Sequence, residues 1–129
     1  MSGEVPADLL YTKDHEWVRP GAELAVGITA FAVEQLGDIT LVNLDVKVGD
    51  VVTAGKAFGT IESVKTLSDL YAPVAGTIVR VNADLAAHPE LVNEDCYGKA
   101  WMIAIQPTDP KATSTLLDPA AYTAHVQSA

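Results

Sequence analysis

The stretch Ala57 to Ala72, AFGTIESVKTLSDLYA, is rich in aliphatic, aromatic and β-branched residues of the kind that suit a pleated, half-buried surface. Read as one strand it would exceed the usual upper limit of about ten residues, so the chain must bend near its centre. The bend falls at Ser63-Val64-Lys65-Thr66, which contains no Gly, Asn, Asp or Pro. Two hairpin arms are expected, with Lys65 at the tip.

The flanking sequence is roughly symmetric about that lysine. Gly55 and Gly76 bracket the two arms, and Val51-Val52 precede the first arm much as Ile78-Val79-Arg80-Val81 follow the second. Matching strands folded around a central hairpin predict a mainly β protein: a flattened β-sandwich, or barrel-sandwich hybrid, with the tip pushed out at one end. Tyr11 to Arg19 and Glu23 to Ile28 read as an opening hairpin turned by Pro20-Gly21. Thr29 is placed to cap a short internal helix from Ala30 to Leu36, and Gly37 to end it. Ile39 to Val46 has strand spacing and is followed by a turn at residues 48–50. Ala83 to Asn93 reads as a loop with one helical turn at Asp84 to Ala87, and Trp101 to Ile105 as a central strand. Asp109-Pro110 and Asp118-Pro119 each pair an N-cap residue with proline at the first helical position, which predicts two short C-terminal helices. Residues 1–129 are expected to form a single domain around one core.

Seventeen acidic against eight basic residues give a net charge of -9, which repels a phosphate backbone and argues against nucleic acid as a partner. The same charge favours encounter with basic docking surfaces. One cysteine, Cys96, excludes an intramolecular disulfide and fits a reducing compartment. No run approaches the roughly twenty apolar residues of a membrane span, and the first residues resemble neither a secretory nor a transit peptide. A cytoplasmic protein without a membrane partner is expected.

Catalytic spacings are absent. His15, His88 and His125 are far apart in sequence, and no HExxH, CxxC or GxSxG occurs. Asp14-His15-Glu16 is expected to lie on a strand, where alternation of faces keeps the three from converging, so no metal site is expected. GKAFGT fails as a phosphate loop because Ala57 stands where Ser or Thr is required. Lys65 itself has two readings: an ordinary solvated lysine, or an amine presented for acylation, which turns a flexible cation into a neutral tether. Val64 beside it favours the second, since an apolar β-branched residue is a poor turn former and a sensible recognition contact.

ESVK at 62–65, followed by SDLYAPVAGTIVRVN at 68–82, resembles the lipoyl-attachment segment of the glycine cleavage H proteins. YTKDHEWV at 11–18, VGIT at 26–29, LGDI at 36–39, LVNEDCYG at 91–98 and Trp101 extend the likeness over almost the whole chain. The resemblance implies a carrier without catalysis of its own. It implies lipoate in amide linkage to Lys65, with Glu62, Ser63 and Val64 read by a lipoylating enzyme, and an arm cleft that includes Glu16 and Asp69. The implied partners are a pyridoxal-phosphate glycine decarboxylase, a tetrahydrofolate-dependent aminomethyltransferase and a flavin-containing dihydrolipoamide dehydrogenase. Ala30 and Val33 stand where the family commonly has polar residues, and Cys96 where proline commonly precedes YG, so a helix cap, a partner contact or a turn is expected to differ. An unmodified adaptor and a lipoyl relay donor to other proteins are the alternative roles, since each would retain ESVK.

Overall fold

A computed structural model of the chain describes residues 5–128. Among the described residues nine strands form two sheets. The strands are β1 (Leu10–Tyr11), β2 (Glu16–Arg19), β3 (Leu24–Ile28), β4 (Ile39–Leu44), β5 (Val51–Val52), β6 (Ala57–Ser63), β7 (Leu67–Tyr71), β8 (Gly76–Val81) and β9 (Ile103–Pro107). A six-stranded sheet runs β1-β2-β3-β9-β8-β5, and a three-stranded sheet runs β4-β6-β7. All pairings are antiparallel. Val18, Val26, Ile78, Ile103 and Ile105 from the first sheet close on Val42, Phe58, Ile61 and Leu70 from the second in the larger of two buried apolar clusters; Leu9, Tyr11, Trp17 and Tyr122 form the other. The expected flattened sandwich is therefore present, and β5 pairs with β8 as the symmetry about Lys65 suggests.

The internal helix α1 (Ala30–Leu36) is bounded as its sequence predicts. Thr29 Oγ1 accepts from the Ala32 N–H at 3.3 Å, and Gly37 adopts φ 84°, where any side chain would be strained. Ala32, Val33 and Leu36 pack against the core, which gives Val33 an apolar role. The cap is intact at Ala30 too, because the Ala30 N–H donates to the Tyr97 hydroxyl at 3.0 Å. Thr29→Val is expected to lower stability by about 1–3 kcal/mol, since the buried hydroxyl also lies 2.7 Å from the Tyr122 hydroxyl and both partners would lose it. A urea midpoint unchanged from the parent would show that the cap contributes nothing.

The structure corrects four local expectations. Tyr11 to Arg19 is two strands, because Thr12–His15 form a turn that folds β1 back on β2, with Tyr11 opposite Trp17 and His15 at φ 66°. The 83–93 segment contains, besides α2 (Asp84–Ala87), an unforeseen helical turn α3 (Leu91–Glu94) that buries Val92. The last strand runs from Ile103 to Pro107 and not from Trp101, whose carbonyl, like that of Lys99, accepts from Asn82 Nδ2. Asp109 closes a tight turn by accepting from the Lys111 N–H, and only a 3₁₀ turn, Ala112–Thr115, follows before Leu117 bridges to Tyr11. Asp118 does cap the final helix α4 (Pro119–Gln127), accepting from the Ala121 N–H at 2.7 Å. That helix is more than cover: Tyr122 is buried and stacks on Tyr11 at 4.5 Å beside Trp17.

Candidate functional site

The β6-β7 hairpin projects Lys65 from one end of the sandwich. No turn former is needed because Ser63 supplies the turn chemistry itself. Its N–H donates to the Thr66 carbonyl at 2.8 Å, and its buried Oγ accepts from the N–H groups of Lys65 and Thr66 at 3.3 and 3.2 Å. The Val64 N–H donates to the Asp38 carbonyl at 3.0 Å, tying the tip to the segment after α1. Asn93 braces that segment in turn, accepting from Ile39 N–H and donating to the Gly37 carbonyl. Ser63 is thus a framework residue of the tip, buried and unavailable for side-chain contact with another protein, while Glu62, Val64 and Lys65 are exposed. Among the described residues the ion pairs are Arg80 with Glu23 and His88 with Glu90, and neither engages Lys65.

Beside the hairpin lies a cleft of about 550 Å³ between β2, α1 and β7, with Ile28, Phe31, Leu36 and Ile61 among its apolar walls. Both predicted acids border it, in different states. Glu16 is only 2% exposed; one carboxyl oxygen accepts from the Tyr71 N–H at 2.8 Å and the other from the Thr12 hydroxyl at 3.2 Å, so it pins β7 to β2. Burial raises its pKa from the ordinary 4.5 to about 8, against the lowering effect of the Tyr71 N–H and with a further push from Asp14. Asp69 is exposed and stands opposite Thr60, on the face alternate to Ser68 and Leu70, where it accepts from the Tyr71 hydroxyl at 3.4 Å. It meets the cleft from the β7 edge.

Asp14, His15 and Glu16 all line this cleft; the first two lie in a turn and not on the expected strand, and among the described residues the three form no metal-holding group. Sequence spacing also gave no sign that His15 meets His125, their rings 5.4 Å apart. His15 Nδ1 lies 2.9 Å from the Tyr122 hydroxyl, which links the cleft wall to the Thr29 cap. Burial, then the neighbouring His125, lower the His15 pKa, while Asp14 opposes them. Cys96 is half-buried, and its carbonyl accepts from the Trp17 indole at 2.9 Å, so the turn that lacks proline is held by tryptophan.

Among the described residues no ion pair engages Lys65, and an exposed lysine at the tip of a braced hairpin, beside an open cleft, has the geometry a carrier domain needs to present an amine. The glycine cleavage H-protein family model matches residues 9–129. The chain is 49% identical over 128 residues to the glycine cleavage system H protein of Myxococcus xanthus (strain DK1622), covering 98% of each, and 51% identical over 122 residues to that of Geobacillus kaustophilus (strain HTA426), covering 94% and 95%. The crystal structure of a glycine cleavage system H protein from Mycobacterium marinum superposes with a TM-score of 0.83 at 42% identity, over 97% of this chain and all of that one. The chain belongs to the glycine cleavage H-protein family, whose members are lipoyl carriers and not catalysts. Membership makes the other components of the glycine cleavage system its partners. Among the described residues no helix is long and apolar enough to cross a membrane.

Proposed function

We propose that Lys65 carries lipoate in amide linkage and that the chain shuttles the aminomethyl group of glycine between the enzymes of the cleavage system in the cytoplasm. The observation that carries this reading is the exposed lysine, outside every ion pair of the described residues, on a tip whose backbone is held by Ser63 and Asp38, with Asn93 bracing the segment around Asp38. Lipoate would supply the dithiol chemistry: receiving the aminomethyl group at glycine decarboxylase, yielding it to the aminomethyltransferase, and returning to the disulfide at dihydrolipoamide dehydrogenase. The chain's own residues present, orient and shelter. The hairpin holds Lys65 clear of the sandwich, and the cleft offers apolar walls of Phe31, Leu36 and Ile61 to an arm folded back on the carrier. Asp69 borders that cleft and favours a cationic group within it, while Glu16, kept protonated near neutral pH by burial, ionises in answer to such a group.

The test is an intact mass of the protein from lipoate-replete native cells, with peptide mapping. One lipoyl group on Lys65 is expected; a bare chain would return the reading to an unmodified adaptor. Glu62 and Val64 are the exposed side chains a lipoylating enzyme would read beside its target, Ser63 acting through the backbone it holds. Replacing Glu62 or Val64 by Ala is expected to slow lipoylation several-fold while thermal stability stays within about 0.5 kcal/mol, as for other surface substitutions. A sharp fall in stability with an unchanged modification rate would make both residues structural.

A further inference from the structure

The outer face of the β4-β6-β7 sheet carries apolar side chains that none of the described residues covers. Leu41, Glu62 and Leu67 are register partners across the three strands and form one row, on the face turned away from the buried Val42 and Ile61. Leu41 is 44% exposed and Leu67 63%, with Val64 at 69% just beyond them on the tip. A solvated sheet face ordinarily carries polar residues, and the next row, Asn43, Thr60 and Asp69, does. The large exposed aliphatic side chains of this sheet thus stand at the end that bears Lys65; Val48 and Val51 are exposed elsewhere, before and on β5.

We propose that this row is the docking surface of the enzyme that acylates Lys65, a partner presenting an apolar recess edged with basic side chains; the proposal rests on the reading of Lys65 as the lipoyl attachment point. Acylation fixes the geometry. The neutral amine attacks the acyl carbon of an activated mixed carboxylic–phosphoric anhydride; the C–N bond forms, the C–O bond to phosphorus breaks, the phosphate leaves with the electron pair, and the amine loses a proton. The reacting atoms must therefore come to Nζ, which stands on a stem of four carbons, so the enzyme is pressed against the sheet beside the tip. Enzymes that work on the far end of an attached arm meet no such constraint. Charge also favours this occupant: Lys65 is the only cation between Ala57 and Ala72, with Glu62 inside the row and Asp69 behind it, and such acids complement a basic edge.

The experiment compares the parent with the Leu41→Ser/Leu67→Ser and Leu41→Met/Leu67→Met double variants as substrates of a purified lipoylating enzyme, followed by intact mass. The serine pair is expected to lower kcat/KM for lipoylation by about 10- to 100-fold, as loss of central apolar contacts does at other interfaces, while the methionine pair stays within about twofold. Labelling of Lys65 by acetic anhydride should be equal in all three, showing an amine that remains exposed and reactive. Once driven to full lipoylation by long incubation, the serine pair should accept the aminomethyl group from glycine decarboxylase at the parental rate. Unchanged lipoylation of the serine pair would overturn the proposal. So would an equal loss at the decarboxylase step, which gives the row to that enzyme, or a parental dimer that the serine pair abolishes, which gives it to a second copy. A parent that takes no lipoyl group at Lys65 removes the carrier reading itself, a result distinct from all of these.

Discussion

Lys65→Arg is expected to leave the fold unchanged and reduce carrier activity to nothing. The side chain is exposed and makes no ion pair among the described residues, so substitution at this position should change stability by no more than about 0.5 kcal/mol. The backbone of the tip is held by Ser63 Oγ and by the Asp38 carbonyl, through bonds that do not involve the lysine side chain. Charge is preserved, but a guanidinium stays protonated throughout the accessible pH range and offers no amine nucleophile. Glycine cleavage reconstituted with the variant as sole carrier should show no turnover above a carrier-free control, with urea unfolding that overlays the parent. Residual turnover would mean that the group is carried elsewhere.

Glu16→Gln is expected to change the pH dependence of stability more than any other single substitution at the cleft. Folding raises this carboxyl from 4.5 to about 8, so between those values the native protein keeps a proton that the unfolded chain has shed. Raising the pH then favours unfolding: the contribution is flat below pH 4.5, weakens the fold by up to roughly 1.4 kcal/mol per pH unit through the window, and is flat again above about 8. Glutamine has nearly the same shape, accepts from the Tyr71 N–H, donates to the Thr12 hydroxyl and does not titrate. Its advantage over the parent should grow steadily in urea titrations between pH 5 and pH 8. Parallel stability curves would show that Glu16 is ionised in the native state. The same burial has a functional consequence, since an ammonium group entering the cleft favours the ionised acid and is itself favoured by it. The Glu16→Gln/Asp69→Asn protein, lipoylated and aminomethyl-loaded, should release ammonia and formaldehyde faster than the parent in the absence of transferase. Equal release at every salt concentration would leave any protection to the apolar walls.

Local signals were reliable where one residue type does one local job. Thr29, Gly37, Asp118 and Pro119 bound their helices because capping hydrogen bonds and backbone preferences reach only a few residues along the chain. The hairpin around Lys65 was legible for the same reason, since strand-forming residues on both sides leave a single place to bend. Local reading failed at Thr12–His15, where a positive φ falls on a histidine, and at Asp109, where a side chain closes its own turn before a helix can start. Neither outcome is encoded by residue type alone.

The sequence by itself determined the mainly β class, the lysine at the tip, the family likeness and the absence of catalytic spacing, all of which depend on short-range pattern. Only the tertiary structure decided the state of Glu16, because desolvation depends on what packs over a carboxyl and not on its neighbours in sequence. It also decided that His15, Tyr122 and His125 meet, and that Leu41 and Leu67 share one exposed face with Glu62. Strand register brings together residues separated by long stretches of chain, and alternation along a single strand says which of them share a face but not which other strand lies beside them.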